Sequence, residues 1–391
     1  MAKDKRVQAA RKHVRATDAE TVADMLAAVA IPAPPYGETA RAAWVADKLR
    51  GYGLRVTVDE VGNVIAESGD GAVDDAVIVS AHLDTIFPAE TPINVRRNGT
   101  RISAPGIADN CRGLAAMLAV ARALTHGGVQ TEKPVIYVAT VGEEGVGDLR
   151  GVKHLFRPGS PFRATSAFIS LDGTGQRRIV YRAIGSRRLR ATITGPGGHS
   201  WADFGLVNPV HALGAAIGAI ADYDVPRQPR TAITVARIGG GTSVNAIPAD
   251  AWLEVDIRSE AAGPLAEMEA MVHAALEQAV TQANAARKRG TPALHIDVRV
   301  IGDRPTGEAS IHAAVVRAAR TATRYLGDAP ELVASSTDAN IPIALGIPAI
   351  AIGAGGESGG THTIEEWFSN AGGPDGIERA LLIVLATAGL R

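Results

Sequence analysis

Cysteine is nearly absent from this chain, in which Cys111 is the only one among 391 residues. A single thiol excludes an intrachain disulfide, and it also excludes a structural zinc site built from several cysteines. Such low cysteine usage suits a reducing compartment. We therefore expect a cytoplasmic protein.

Surplus charge and long apolar runs are missing as well. Lys and Arg number 40 against 41 Asp and Glu, so the formal net charge is −1 and no overall field attracts nucleic acid or an acidic membrane. The longest apolar tail, 381–390, is too short to span a bilayer, and the charged residues 1–20 lack the apolar core of a secretory signal. We expect no nucleic-acid partner and no membrane association.

The chain is long enough for two domains, and strand and helix patterns alternate in both its N-terminal and C-terminal parts. This order predicts an α/β fold, with a mixed, largely parallel sheet sandwiched by helices. The predicted strands lie at 55–58, 64–67, 77–81, 135–141, 167–171, 332–334 and 349–353. The predicted helices lie at 18–30, 38–49, 112–124, 149–156, 311–326, 339–345 and from about 376.

Between these parts the order changes to βαββαβ, which is the ferredoxin-like order. Its strands are predicted at 189–194, 232–238, 251–258 and 294–300, and its helices at 209–221 and 265–288. We therefore predict a catalytic domain in two pieces, 1–185 and 303–391, and an inserted lid domain at 186–302. A cleft between a core and its insert is a common place for a ligand site.

His82 and Asp84 follow the apolar strand 77–81, and side chains two residues apart in extended chain point the same way. The end of a parallel strand is where open α/β sheets bind ligands. A lone histidine at a strand end is more often structural than a metal ligand. Here an acid follows at once, and metal-bound histidine usually passes its other ring N–H to a second group.

Further acids and a second histidine lie at predicted element ends, and each has a plainer interpretation. Asp109 precedes a helix and could be its N-cap; Asp172 follows a strand and could be a turn residue. Glu143 and Glu144 could be acids in a first helical turn, although ionising two adjacent carboxylates in a cleft requires a nearby cation. His362 lies in a Gly-rich loop, where Thr363 and Glu366 form a capping-box pattern that predicts a helix. Together these residues indicate a metal site.

The predicted insert contributes His199, within Gly195-Pro196-Gly197-Gly198-His199-Ser200. A Gly-rich loop can bind phosphate, but no lysine follows here, so nucleotide binding is disfavoured. Asn245 could be a turn residue, and Arg258 could be solvated or ion-paired. A cluster of arginines near the domain junction is interpreted as solvated surface, with attraction of acidic substrates as the alternative: Arg177, Arg178, Arg182, Arg187, Arg188 and Arg190.

In this order the motifs resemble the dinuclear zinc peptidase superfamily of peptidase T, carboxypeptidase G and the aminoacylases. Each motif is weak alone, but the ordered set is specific and spans nearly the whole chain. The matching segments are His82-Leu83-Asp84-Thr85, Asp109-Asn110 with Gly113, Glu143-Glu144-Gly145, Asp172-Gly173, Gly198-His199-Ser200 and Thr361-His362-Thr363. The resemblance implies a zinc exopeptidase-like fold, and we expect the lid to dimerise because its strand edge would otherwise be open.

The resemblance also implies a role for each residue. Asp109 bridges two divalent ions, most simply Zn²⁺, with Mn²⁺ and Co²⁺ as alternatives. His82 and Asp172 hold one ion, and Glu144 and His362 hold the other. Glu143 is the general base, Asp84 orients His82, and His199 polarises the scissile carbonyl, in several relatives from a partner subunit. Asn245 and Arg258 match lid positions that contact substrate.

The predicted function is therefore hydrolysis of the amide bond of a short peptide by a two-metal exopeptidase, as a homodimer through the lid. Asp172, rather than Glu, at the fifth ligand position is similar to the peptidase T branch and related dipeptidases. Gly197-Gly198-His199-Ser200-Trp201 departs from the peptidase T lid, which leaves tripeptide specificity open. The alternatives are an N-acyl-amino-acid amidohydrolase or a carboxypeptidase with the same site, a non-catalytic binding protein, and a nucleotide-binding enzyme.

Overall fold

The computed structural model describes Met1, residues 3–68 and residues 73–391, which divide into two compact units. The first unit comprises Met1–Ala183 with Glu308–Arg391, and the second comprises Ile184–Gly307. Both predicted boundaries need a small correction. The one at 302 cuts the strand His295–Arg304, and the one at 185 separates Gly185 from the strand that it begins.

The first unit is a layered α/β structure. Its strands are β1 Arg55–Val58, β2 Val64–Glu67, β3 Val77–His82, β4 Arg96–Asn98, β5 Arg101–Ser103, β6 Val135–Thr140, β7 Ala167–Leu171, β8 Arg178–Ala183, β15 Gly307–Glu308, β16 Glu331–Ser335, β17 Ala349–Ile352, β18 Glu357–Gly359 and β19 Trp367–Ser369. Its helices are α1 Lys5–Ala16, α2 Asp18–Val29, α3 Thr39–Gly51, α4 Gly113–His126, α5 Arg150–Leu155, α8 Ala314–Tyr325, α9 Asn340–Ala344 and α10 Gly373–Ala388.

The main sheet runs in the order β1-β2-β6-β3-β7-β17-β8-β15, with β16 beside β8. Its central strands β6, β3, β7 and β17 are parallel, whereas β1, β2 and the β17–β8 pair are antiparallel. All six residues of β3 and of β6 are buried, as expected for strands covered on both faces. The prediction of a mixed, largely parallel sheet is confirmed.

Helix α4 covers part of the sheet. Ala, Leu, Met and Val occupy nearly every side of this helix, and it is buried from Gly113 to Leu124. The C-terminal helix α10 is also deeply buried, with Leu381 and Leu385 in the same core cluster as the strands. This core fixes the ends of the parallel strands, and the candidate residues follow those ends.

Several features of this unit escaped prediction, among them the six-residue strand β8 of the main sheet, and one prediction was wrong. Helix α1 has too many lysines and arginines to look apolar, but Val7, Ala10 and Val14 are buried at helical spacing. The short strands β4, β5, β18 and β19 form a second sheet in the order β18-β19-β5-β4. The helix predicted after His362 does not form, because the chain there turns into β19.

The second unit is a four-stranded antiparallel sheet with two helices. Its main elements are β9 Gly185–Thr194, α6 Pro209–Ala221, β11 Thr231–Gly240, β13 Asp250–Ser259, α7 Ala262–Ala285 and β14 His295–Arg304, with the short strands β10 Gly198–His199 and β12 Ala246–Ile247. The strand order β11-β13-β9-β14 is that of a ferredoxin-like fold. Apolar residues of both helices, such as Leu213 and Met268, pack against Leu189 and Leu253 of the sheet.

None of the helices among the described residues is long and apolar enough to cross a membrane.

Candidate metal centre

The candidate residues of the first unit lie at one edge of the main sheet. His82 is the last residue of β3, Glu143 and Glu144 follow β6, and Asp172 follows β7 directly. Asp109 lies in the irregular segment Ile107–Arg112 that leads into α4. Because parallel strands end at the same edge, residues distant in sequence meet here. His362 reaches the same place from the loop between β18 and β19.

Asp109 stands at the centre of this arrangement and uses its two oxygens in two directions. Its Oδ1 lies 3.1 Å from His82 Nε2, and its Oδ2 lies 3.3 Å from His362 Nε2. His82 Nε2 is also 4.0 Å from Asp172 Oδ1, and His362 Nε2 is 3.0 Å from Glu144 Oε1. A carboxylate placed in this way can share its oxygens between two cations.

Two groups of possible metal ligands therefore share one residue. The potential ligand atoms of His82, Asp109 and Asp172 lie within 4.8 Å of one another, and so do those of Asp109, Glu144 and His362. A third such group adds Glu143 to His82 and Glu144. A group of three imidazole and carboxylate ligands suits Zn²⁺, Mn²⁺ or Co²⁺. The residues present thus fit a two-ion centre.

The electrostatics of the site indicate an excess of negative charge. Hydrogen bonds with Asp109 and Glu144 raise the pKa of His362 to about 10. Burial raises the pKa of Asp172 to about 7, and the nearby charge of Asp109 adds to the rise. Burial would also raise the pKa of Asp109, but the hydrogen bonds of His362 and His82 lower it strongly. Protons on the imidazoles partly neutralise the negative charge of the clustered carboxylates. Divalent cations would neutralise this charge more fully.

Asp84 is buried and makes contacts that the sequence did not reveal. Its Oδ1 accepts the backbone N–H of Glu143 at 2.9 Å, and its Oδ2 accepts that of Glu144 at 2.7 Å. The Nδ1–H of His82 points at the backbone carbonyl of Asp84, 3.0 Å away, while the carboxylate is 3.6 Å from the same nitrogen. With the proton on Nδ1, a neutral His82 presents the lone pair of Nε2 to the site.

Asn110 joins the segment of Asp109 to the end of β7. Its Nδ2 donates to the carbonyl of Leu171 at 2.9 Å, and its Oδ1 accepts the N–H of Gly113 at 3.1 Å. A Cβ at Gly113 would lie 2.1 Å from Asn110 Oδ1 and 2.4 Å from the Leu171 carbonyl oxygen, so this close approach requires glycine. The sequence pointed to this close approach, since Asn110 and Gly113 belong to the motif Asp109-Asn110 with Gly113.

Arg41 and Glu366 also support the site, and sequence reasoning missed both roles. The Nη1 of Arg41 donates to the Leu83 carbonyl at 2.7 Å, which steadies the chain between His82 and Asp84. Glu366 is buried and accepts backbone N–H groups from the segment before Asp109. Burial raises the pKa of Glu366 to about 7, and these N–H groups oppose the rise. The partners of Arg41 and Glu366 are distant in sequence, so no local spacing predicts these contacts.

In the second unit, backbone pairing brings His199 and Asn245 together. His199 pairs with Ala246 in the β10–β12 ladder, and Ser200 N–H donates to the Asn245 carbonyl at 3.0 Å. The Nδ1 of His199 accepts N–H groups from Trp201 and Ala202 at 3.2 and 3.4 Å. The ring proton of neutral His199 is therefore on Nε2, which is free to face a ligand.

Arg258 lies on β13 and is exposed, with its Nε 2.7 Å from Asp256 Oδ2. Five of the six arginines near the domain junction form ion pairs, and Arg177 and Arg178 are exposed, as expected for solvated surface. The pairs are Arg177 with Glu331, Arg182 with Glu308, Arg187 with Glu269 and Asp303, Arg188 with Asp256, and Arg190 with Glu254. These carboxylates neutralise the cluster, which weakens the alternative of attraction for acidic substrates.

The model of peptidase family M20/M25/M40 matches residues 78–387, and the chain belongs to this hydrolase family. A Pyrobaculum aerophilum protein described as a LysW-lysine/LysW-ornithine hydrolase is 25% identical over 234 residues. That match covers 58% of this chain and 63% of the relative, which is less than two thirds of the relative's length.

Solved structures with the same fold include two peptidases. Aminopeptidase PepT from Bacillus cereus superposes with a TM-score of 0.73 at 23% identity, over 94% of this chain and 98% of that one. The dipeptidase Dug1p of Saccharomyces cerevisiae gives a TM-score of 0.76 at 14% identity, over 98% and 99% of the two chains. The predicted resemblance to the dinuclear peptidase superfamily is confirmed.

Proposed function

We propose that this protein is a two-metal exopeptidase that hydrolyses the amide bond of a di- or tripeptide. The observation that carries the proposal is the position of Asp109, whose two carboxylate oxygens face two histidines from opposite ends of the chain. In this assignment Asp109 would serve both ions. His82 and Asp172 would complete the ligands of one, and Glu144 and His362 would complete those of the other.

The two ions, when bound, supply Lewis-acid activation of water and of the scissile carbonyl. The protein groups supply the rest of the chemistry. Glu143, held with Glu144 by the Asp84 carboxylate, takes the proton of the attacking water and returns it to the leaving amine. Fixing both backbone N–H groups to one buried carboxylate limits the motion of this base. Asp84 thus acts on Glu143 as well as on His82.

His199 is proposed to donate its Nε2–H to the carbonyl oxygen as negative charge develops there. The two N–H groups that point at its Nδ1 support this role, because they leave the proton on the outward nitrogen. Asn245, whose carbonyl accepts the N–H of Ser200 beside His199, and Arg258 would contact the substrate, with Arg258 attracting a carboxylate.

Three finer points belong to the same proposal. The native ions are proposed to be Zn²⁺, with Mn²⁺ or Co²⁺ as alternatives for the same donor set. The protein is proposed to be cytoplasmic. It is also proposed to dimerise through the second unit, where β11 and β14 are the outer strands and could pair with a second copy. His199 would then serve the partner's site.

A second candidate is an N-acyl-amino-acid amidohydrolase or a carboxypeptidase that uses the same residues. The observation that favours it is the lid segment Gly197-Gly198-His199-Ser200-Trp201, which departs from peptidase T. The exposed Trp201 of this segment offers an apolar surface that an acyl group could also contact. Asp172 at the fifth ligand position supports the peptidase.

The test combines metal analysis with a substrate panel. Purified protein should hold two divalent ions per chain, and a chelator should remove its activity until Zn²⁺, Mn²⁺ or Co²⁺ is restored. Di- and tripeptides with free amino termini are compared with N-acetyl, N-succinyl and N-carbamoyl amino acids. Turnover of acyl compounds alone would reject the exopeptidase proposal, and a protein that binds no ion would reject the two-metal proposal.

A further inference from the structure

Glu366 accepts three backbone hydrogen bonds from the segment that ends at Asp109. Its Oε1 accepts the N–H groups of Ala108 and Asp109 at 2.7 and 3.0 Å, and its Oε2 accepts that of Gly106 at 3.2 Å. The residue is fully buried. A carboxylate can accept all three, whereas an isolated loop leaves such N–H groups to water.

The backbone of Glu366 makes a fourth connection to the same segment. The N–H of Ala104 donates to the carbonyl of Glu366 at 3.0 Å. Directly beyond it, Trp367 pairs with Ser103 in the β19–β5 ladder. The chain that carries Asp109 is therefore fixed at its start by β5 and near its end by the Glu366 carboxylate.

Glu366 also lies four residues after His362, in the loop that carries that histidine. Its N–H donates to the carbonyl of Thr363 at 3.1 Å, which ties it to this loop. One side chain thus joins the two segments whose functional residues, Asp109 and His362, face each other at 3.3 Å. The neighbouring Glu365 makes no such connection, since it is exposed and pairs with Arg96.

We infer that Glu366 is a positioning residue. It holds the backbone before Asp109, so that one oxygen of the Asp109 carboxylate faces each half of the metal centre. This role rests on the proposed function, in which Asp109 is the bridging ligand. Because both ions would share Asp109, displacement of Asp109 would weaken the binding of both ions. Displacement of His362 would weaken the binding of only one ion.

The variant Glu366→Gln removes one acceptor oxygen and turns an NH₂ group toward a backbone N–H, so at least one of the three bonds is lost. Its matched control is Glu365→Gln, which makes the same chemical change at the next residue. His362→Ala provides the reference for loss of a single ion. Each variant is first checked for folding by circular dichroism and thermal melting.

The first measurement is hydrogen–deuterium exchange on metal-free protein. Peptides that cover residues 104–112 should exchange about 10-fold or more faster in Glu366→Gln than in wild type, and Glu365→Gln should match wild type. Exchange at wild-type rate in Glu366→Gln would overturn the inference. This readout needs no metal, so it decides the role of Glu366 in the loop even if the wild-type chain binds no ion and the proposed function fails.

The second measurement is titration of metal-free protein with Zn²⁺ alone. We expect both binding steps to weaken by about 10–100-fold in Glu366→Gln, which is typical for loss of a group that supports metal ligands. Glu365→Gln should keep both affinities. If Glu366→Gln loses only one step, as His362→Ala should, then Glu366 acts through His362 and the inference is wrong. Should Glu366→Gln not fold, Glu366→Asp, which keeps the charge but retracts it, replaces it with the same criteria.

Discussion

The two compact units present most of their candidate residues in different ways. In the first unit His82 is 1% exposed and Asp84 is fully buried, and side chains with no direct chemistry, such as Asn110, hold the neighbouring backbone. His362, whose side chain is half exposed, is the exception among the candidate ligands. In the second unit His199 is exposed on the short strand β10, and Asn245 is exposed in the turn just before β12. Burial with many partners suits ligands that must be in place before an ion binds, and exposure suits groups that meet a substrate.

This difference indicates that the two units act at different steps. Residues of the first unit should determine ion binding and the chemical step, and their substitution should change metal content or kcat. Residues of the second unit should leave metal content unchanged and alter substrate kinetics. Four variants test this division, and the variant with the greatest predicted effect comes first.

Glu143→Gln should have the largest effect, a fall in kcat of about 10²–10⁴-fold, because the base that moves the proton is lost. Two divalent ions per chain should remain, which metal analysis of the purified variant checks beside the kinetics. Glu277→Gln, an exposed position on α7, is the control. Unchanged turnover in Glu143→Gln would remove Glu143 from the role of base.

His199→Ala should lower kcat by about 10²–10³-fold, as loss of a single donor to a developing oxyanion does. Metal content should equal that of wild type, which would separate this residue from the first unit. His211→Ala, an exposed histidine on α6, serves as the control. A loss of bound metal in His199→Ala would contradict the division between the units.

Asp84→Asn should weaken metal binding by about 10–100-fold, because an amide cannot accept N–H groups on both of its terminal atoms. The backbone of Glu143 and Glu144 would lose one of its two fixed bonds. Zn²⁺ titration of metal-free protein measures the effect, with the exposed Asp47→Asn as control. Wild-type affinity in Asp84→Asn would show that these contacts do not support the ligands.

Arg258→Ala should have the smallest effect, a rise in KM of about 10-fold for substrates with a free carboxylate, with kcat almost unchanged. Arg299 provides a close control, because its Nε pairs with Asp297 at 2.6 Å just as that of Arg258 pairs with Asp256 at 2.7 Å. Steady-state kinetics of both alanine variants decide the matter. An equal effect of the two substitutions would argue against a specific contact at Arg258.

The sequence predicted much of this fold because local patterns agree with the final structure. The strands Arg55–Val58, Val64–Glu67 and Ala167–Leu171 have the predicted limits, since each is an apolar or alternating run between turn residues. Helix α1 was missed because its lysines and arginines hide a narrow apolar stripe. The three-residue strands of the small sheet depend on partners distant in sequence, which no local pattern reveals.

The candidate site shows the same limit. The order of His82, Asp109 and His362 along the chain was enough to propose which residues meet, but not what holds them. Thr363 and Glu366 have the spacing of a capping box, which predicted a local partner for Glu366. In the structure its carboxylate accepts N–H groups from a segment some 260 residues away, as the 258-residue separation from Ala108 shows.

The pairing of β7 with β17 has a consequence for biosynthesis. These parallel neighbours are separated in the chain by the whole of Ile184–Gly307, so β7 is made long before the strand that will cover its edge. At translation rates of about 5–20 residues per second, this delay is on the order of ten seconds. During that time the nascent polypeptide carries an apolar strand with one unpaired side, which is open to aggregation until β17 has been made.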